Sequence, residues 1–195
     1  PGSAVACGML NLHVIIVSTR PGRAGPAVAR WFVEQASQHP SFQVKLVDLA
    51  EVNLPFLDEP DHPRLATYRH QHTKDWSATV AAADAFVFVT PEYNYSVPAP
   101  LVNALDYLFN EWGYKPAGFV SYGGVSGGTR SVQMAKQIIT ALRMMPIPEQ
   151  VTLPFFTTHL KEGVFTPPDN QAKAAKTMLD ELEKWAGALR PLRAK

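Results

Sequence analysis

The chain is nearly free of cysteine. Cys7 is its one thiol, so no internal disulfide can form and no cross-linked secreted framework is expected among its 195 residues. Charge of either sign is not in excess. Eighteen basic side chains (18) face 17 acidic ones, a formal net charge of +1. That leaves no broad field for steering onto nucleic acid, and it does not suit a dedicated acidic electron carrier. Long apolar runs are missing, since none approaches the roughly 20 residues that span a bilayer. Repeats and low-complexity linkers are also missing, so a single domain over residues 10–190 is expected. Residues 1–8 have neither the basic start nor the apolar stretch of a signal peptide, and no initiator Met. Residues 1–9 are expected to be an added, disordered segment outside the fold, and the protein to be soluble and cytoplasmic.

The composition is that of a globular chain, 46% hydrophobic and 18% charged. Residues 12–17 (LHVIIV) and 85–90 (AFVFVT) are short, nearly continuous runs rich in β-branched and aromatic residues, as in strands buried on both faces. Residues 43–49 (QVKLVDL) alternate and read as a less buried strand. Residues 117–122 (AGFVSY) read as a further strand. Residues 144–153 read as a fifth, at a sheet edge because Pro146 and Pro148 cannot donate ladder hydrogen bonds. Between these runs, apolar residues recur at helical spacing: Val28, Trp31, Phe32 and Gln35; Leu101, Ala104, Leu105 and Leu108; Val132, Ala135, Ile139 and Leu142. Residues 64–83 read as helical, in one or two pieces, and 50–64 as a loop. Ala175, Met178, Leu179, Leu182 and Leu189 mark the last helix. Five rounds of strand then helix predict an α/β fold: a three-layer, doubly wound, parallel five-stranded sheet. Ligands of such sheets sit beyond the carboxyl ends of the strands.

Three stretches lie there. After the first strand, Ser18, Thr19, Arg20, Arg23 and Gly25 offer hydroxyls, guanidinium groups and flexible backbone just before a helix begins, where free N–H groups favour a phosphate. The spacing matches neither the P-loop nor the dinucleotide fingerprint, so one phosphate fits better than two. By itself the stretch reads equally as a solvated turn. After the third strand, Pro91, Glu92, Tyr93, Asn94, Tyr95 and Ser96, with Pro98, combine stiff backbone, aromatic rings and hydrogen-bonding groups, a wall suited to a flat polar ring. The plainer reading is a Pro-rich loop whose tyrosines cover the core. After the fourth strand, Tyr122, Gly123, Gly124 and Gly127, with Gly128 and Arg130, allow close backbone approach. Clustered at one end of a sheet, the three describe a pocket for one phosphate and one planar ring.

These stretches, together with Asn103-Ala104-Leu105-Asp106, resemble the NADPH-dependent FMN reductase family, which includes quinone, azo-dye and chromate reductases. The resemblance spans residues 12–142. It implies a flavodoxin-like fold with strand order 2-1-3-4-5, non-covalent FMN, and NADPH or NADH as co-substrate. It also implies a homodimer or homotetramer with the flavin near the subunit interface. The phosphate would meet residues 18–25, and the ring would lie between residues 91–96 and 122–124. Two departures stand out: Val17 replaces a common Gly, and Gly25-Pro26-Ala27 replaces common Ser and Asn donors. Arg20, Arg23 and backbone N–H groups are therefore expected to do more, with looser FMN binding. The chemistry would belong to the flavin, with no essential acid or base from the protein, no metal, and donor and acceptor using one face in turn. Tyr95 is a candidate wall for the acceptor. The alternative is a flavin-binding electron carrier or redox sensor with little turnover. His70 and His72, two apart, are expected on different helix faces, and Trp112 in packing or at an interface.

Overall fold

The computed structural model describes residues 8–193; Cys7 and the rest of residues 1–7 lie outside the described residues. Strand β1 (Leu10–Ile16) leads to helix α1 (Gly25–Ser37), β2 (Phe42–Asp48), α2 (Leu49–Val52), α3 (Gln71–Ala81), β3 (Ala85–Pro91), α4 (Ala99–Asp106), β4 (Pro116–Gly123), α5 (Thr129–Ala141) and β5 (Met145–Pro154). A short hairpin, β6 (Leu160–Lys161) and β7 (Val164–Phe165), precedes α6 (Asp169–Leu189). The five long strands form one parallel sheet of order β2-β1-β3-β4-β5, the order expected.

Alternation within each strand divides the core into two layers. Leu12, Val14 and Ile16 of β1 join Val28 and Phe32 of α1 and Met178, Leu179 and Leu182 of α6 on one face. Ile15, Phe86, Phe88 and Phe119 join Trp76 of α3, Leu101 and Leu105 of α4 and Val132, Ala135 and Ile139 of α5 on the other. Trp31 and Phe32 are both buried, as the helical spacing predicts. Leu189 is only half-buried; Ala186 completes the buried face of α6 instead.

Several expectations change. Residues 50–64 are not all loop. Asp48 takes an extended backbone, and its carboxylate accepts the Ala50 N–H at 3.0 Å. It thereby ends β2 and caps α2, so Leu49 starts a helix rather than finishing a strand. The expected helix over 64–83 is a 3-10 turn at Pro63–Leu65, a left-handed Ala66, and α3. His70 precedes α3 in extended backbone, so its ring stacks on His72 at 5.2 Å rather than facing away. The prolines of β5 do sit at the sheet edge. Ala117 pairs with Pro146 and Phe119 with Gln150, so residues 147–149 bulge opposite Gly118. Among the described residues no helix is long and apolar enough to cross a membrane.

The chain leaves β1 for β2 on one side and returns to β3 on the other. The loops after β1 and β3 therefore part, and a crevice opens at the carboxyl edge. Trp112, fully buried, anchors the face behind it: its ring lies 5.0 Å from Phe86 and 5.9 Å from Trp76, and its indole N–H donates to the Leu105 carbonyl at 3.3 Å. Its role is packing. Trp112→Ala is expected to lower stability by about 3–5 kcal/mol in urea unfolding; a loss under about 1 kcal/mol would contradict this packing role.

Candidate functional site

The crevice is a cleft of about 570 Å³ lined by Arg20, Arg23, Ala24, Pro91, Glu92, Tyr93, Asn94, Tyr122, Gly123, Gly124 and Phe156. All three loops read from the sequence contribute. Other expected residues shape the cleft from behind. Ser18 is fully buried, and its hydroxyl lies 3.2 Å from the Tyr122 hydroxyl. Burial pushes the Tyr122 hydroxyl up to about 12, so it stays protonated at neutral pH. Gly25 packs beneath this pair. A Cβ there would collide with the Ser18 hydroxyl and stand 2.9 Å from Ile16 Cγ2 and 3.1 Å from the Tyr122 hydroxyl. Thr19 faces a neighbouring hollow with Leu49, Phe56 and Asn103. Gly127 packs against β5, where a Cβ would stand 3.0 Å from the Pro154 nitrogen. Gly127 also has a positive φ of 58°, so its reason for being glycine is the turn and not the cleft.

The loop after β3 is a two-residue turn. Tyr93 and Ser96 exchange backbone hydrogen bonds of 3.1 and 2.9 Å, and Asn94 and Tyr95 both have positive φ, 52° and 64°. This is the sign pattern of a type I′ turn. Asn tolerates it, whereas Tyr95 carries strain there. Tyr95 is 69% exposed, and the Arg130 guanidinium lies 3.9 Å from its ring centroid.

Glu92 ties this turn to the glycine loop. Its carboxylate accepts from Arg130 Nε at 2.6 Å, the Arg130 N–H at 3.1 Å and the Ser126 hydroxyl at 3.0 Å. Its side chain is only 6% exposed. The Arg130 N–H belongs to the first turn of α5, so Glu92 supplies a carboxylate to a helix N-terminus from another loop. Burial alone would raise Glu92; the Arg130 and Ser126 hydrogen bonds outweigh it and hold the carboxyl below its ordinary range. Glu92 is thus an ionised clamp.

In the loop after β1 the two arginines differ. Arg23 donates from both terminal nitrogens to Asp48, each at 2.6 Å, and to the Ser18 carbonyl at 2.5 Å. Arg20 is exposed, reaches to 5.9 Å from the Tyr93 ring centroid, and has no ionic partner among the described residues. Asn103 of the Asn-Ala-Leu-Asp stretch has its amide occupied by the Pro55 carbonyl and the Leu57 N–H, at 2.8 and 3.0 Å. It fixes the loop beyond α2. Sequence reading missed Phe156, whose ring packs edge-on to Tyr122 at 5.0 Å, and Asp48. Both follow the same rule as the other loops: they lie at or just beyond the carboxyl end of a strand.

The cleft has an open backbone wall at one end and a cation at the other. Gly124 has open space where a Cβ would stand, so a ring can lie against its backbone. Arg20 offers a charge with no ionic partner among the described residues. A 2-1-3-4-5 parallel sheet with such a cleft at its carboxyl edge defines the flavodoxin-like class. Residues 10–158 match the family model for NADPH-dependent FMN reductases. An NAD(P)H-dependent FMN reductase of Schizosaccharomyces pombe is 39% identical over 159 residues, 80% of this chain and 79% of that protein. A probable NADPH:quinone oxidoreductase of rice (Oryza sativa subsp. japonica) is 34% identical over 139 residues, 66% of this chain and 64% of that one. Among solved structures, a flavoenzyme NAD(P)H:(acceptor) oxidoreductase of Paracoccus denitrificans superposes with a TM-score of 0.75 at 19% identity, covering 93% of this chain and 99% of that chain. The chain belongs to the NADPH-dependent FMN reductase family. It is accordingly an oxidoreductase that works with FMN and NAD(P)H.

The Glu92 clamp has a pH signature. Its folded-state pKa is lowered from about 4.5, so its contribution is complete above that value and is lost as pH falls through the lower folded-state value. Glu92→Gln is expected to lower stability by about 1–3 kcal/mol at neutral pH, with the gap from the parent closing in acid. Urea unfolding across pH reads this, and a gap independent of pH would rule out the ionised clamp.

Proposed function

We propose that the enzyme works by a ping-pong sequence, in which a reduced nicotinamide and then a small acceptor use the same open cleft. The acceptor class is a quinone, azo compound, free flavin or metal oxyanion. The observation that carries this reading is one cleft that pairs Arg20, a cation with no ionic partner among the described residues, with the open backbone of Gly124. When bound, FMN supplies hydride acceptance from the nicotinamide and onward electron transfer.

The chain's own residues bind, orient and enclose. Arg20 and the N–H groups of residues 19–25 would hold the phosphate; within α1, Pro26 brings no N–H and the Ala27 N–H is spent on the Ala24 carbonyl at 3.0 Å, which raises the share carried by Arg20. Pro91, Glu92, Tyr93 and Asn94 would form one wall, and Tyr122, Gly123 and Gly124 the other. The N–H groups of Tyr93 and Ser96 are spent on each other, so Asn94 and Tyr95 at the tip are the ones able to stabilise negative charge at the ring's edge. Tyr95, stacked under Arg130, would border the acceptor. The same reading includes a homodimer or homotetramer, supported by the large apolar surfaces of Phe56 and Tyr95, 88% and 69% exposed.

FMN-loaded protein mixed anaerobically with NADPH or NADH is expected to lose its visible flavin absorption and to regain it on adding a quinone. Initial rates at several donor concentrations should give parallel double-reciprocal lines. Absence of bleaching with either nucleotide would reject the enzyme reading, and converging lines the ping-pong sequence. Arg20→Ala is expected to weaken FMN about 10- to 100-fold and to leave riboflavin, which lacks the phosphate, unchanged in equilibrium titrations. Unchanged FMN affinity would move the phosphate elsewhere.

A further inference from the structure

Asp48 is an acid where an acid is unfavourable. Through Arg23 it stands at the end of the cleft assigned above to a phosphate, and nothing in that reading requires it. Its geometry supplies the reason. Asp48 ends β2 and Ser18 lies just past the end of β1, and the two strands are paired to the last residue, Ile16 with Asp48. Arg23 reaches back across the loop to both of them. It forms a fork of two 2.6 Å bonds with the carboxylate and one of 2.5 Å with the Ser18 carbonyl. The two side chains are 17% and 11% exposed, so solvent competes little for this pair. Ser18 in turn meets the Tyr122 hydroxyl.

We propose that Asp48 is a positioning residue for phosphate recognition, and that Arg23 acts as its brace and not as a phosphate ligand. The fork closes residues 18–23 into a loop of fixed shape and holds it against the neighbouring strand. The pair adds no net charge to the site. Charge attraction for the phosphate is left to Arg20, and the pair's contribution is shape, which keeps the backbone N–H groups of the loop aimed at one place.

This inference rests on the phosphate lying in the 18–25 loop, and it makes a prediction of opposite sign to simple electrostatics. Asp48→Asn retains an oxygen to cap α2 but loses the charged fork. Removing an acid beside an anion site by itself tightens anion binding. The brace requires the reverse: FMN weakened about tenfold, with riboflavin affinity unchanged, in equilibrium titrations of the full chain. Arg23→Lys keeps the charge but not the fork, and it is expected to show the same selective loss, which keeps the test decisive if Asp48→Asn folds poorly. FMN bound as tightly or more tightly by both variants would overturn the proposal. So would an equal loss for FMN and riboflavin, which would make the pair a general support of the fold. A parent protein that binds FMN no better than riboflavin would overturn the phosphate assignment itself, an outcome distinct from a variant failing alone.

Discussion

The carboxyl ends of parallel strands all point the same way, and at the switch point nothing in the backbone ladder holds the departing loops together. In this protein side chains do that work. Asp48 and Arg23 join the ends of β2 and β1, Ser18 and Tyr122 join β1 to β4, and Glu92 with Ser126 and Arg130 joins β3 to the start of α5. The first ties a loop back onto paired strands, and the other two span elements that the sheet leaves unpaired. Together they tie the mouth of the cleft to the strands that form its base. Charged or half-buried groups suit this task because such hydrogen bonds are strong when water is partly excluded and directional enough to set a loop's shape.

The links also explain a division of labour among residues that look alike in the sequence. Arg20 and Arg23 are three apart in one loop, yet one is exposed beside the cleft and the other is locked to an acid. Glu92 sits among residues suited to a ring site, yet every contact its carboxylate makes is to α5 or the loop before it. The glycines divide likewise. Gly124 leaves open space beside the cleft, Gly25 makes room for the Ser18–Tyr122 contact, and Gly127 turns the chain against β5. The shared demand is close approach of backbone, but only one of these three approaches faces the cleft.

This division marks how far the sequence could be read. Strand count, layer count and the three loops were legible because each depends on local pattern: β-branched runs, helical spacing, and clusters of Gly, Pro and polar residues just past a strand; the strand order came from the family resemblance. The boundaries that failed did so where one side chain overrode the pattern, as when Asp48 capped α2 and cut short the alternating run of β2. His70 failed likewise, since its extended backbone placed it outside the helix on which the facing of the two histidines depended. The partners within the site were not legible. Asp48 with Arg23, Arg130 with Glu92 and Tyr122 with Ser18 are 25, 38 and 104 residues apart, and no local spacing encodes such pairs. Phe156 escaped for a different reason: it lies just past the fifth strand, where no cluster of glycines and charged residues marks the sequence.

The departures in the loop after β1 gain a physical meaning from these pairs. A loop that lacks the usual hydroxyl and amide donors at its end must reach anion affinity by charge or by backbone. Extra free arginines would supply charge, but an unconstrained guanidinium on a flexible loop loses side-chain entropy each time it engages a ligand. Holding Arg23 on Asp48 settles the ordering during folding, before any ligand arrives. The loop keeps Arg20 exposed at its mouth and a braced frame behind it. The strained turn at Asn94 and Tyr95 follows the same logic on the opposite wall: its backbone is held in place by the Tyr93–Ser96 bonds, and Tyr95 rests against an arginine that Glu92 has already fixed. Both walls are therefore set by contacts made within the protein, which lowers the entropy that a planar ligand must overcome on entering.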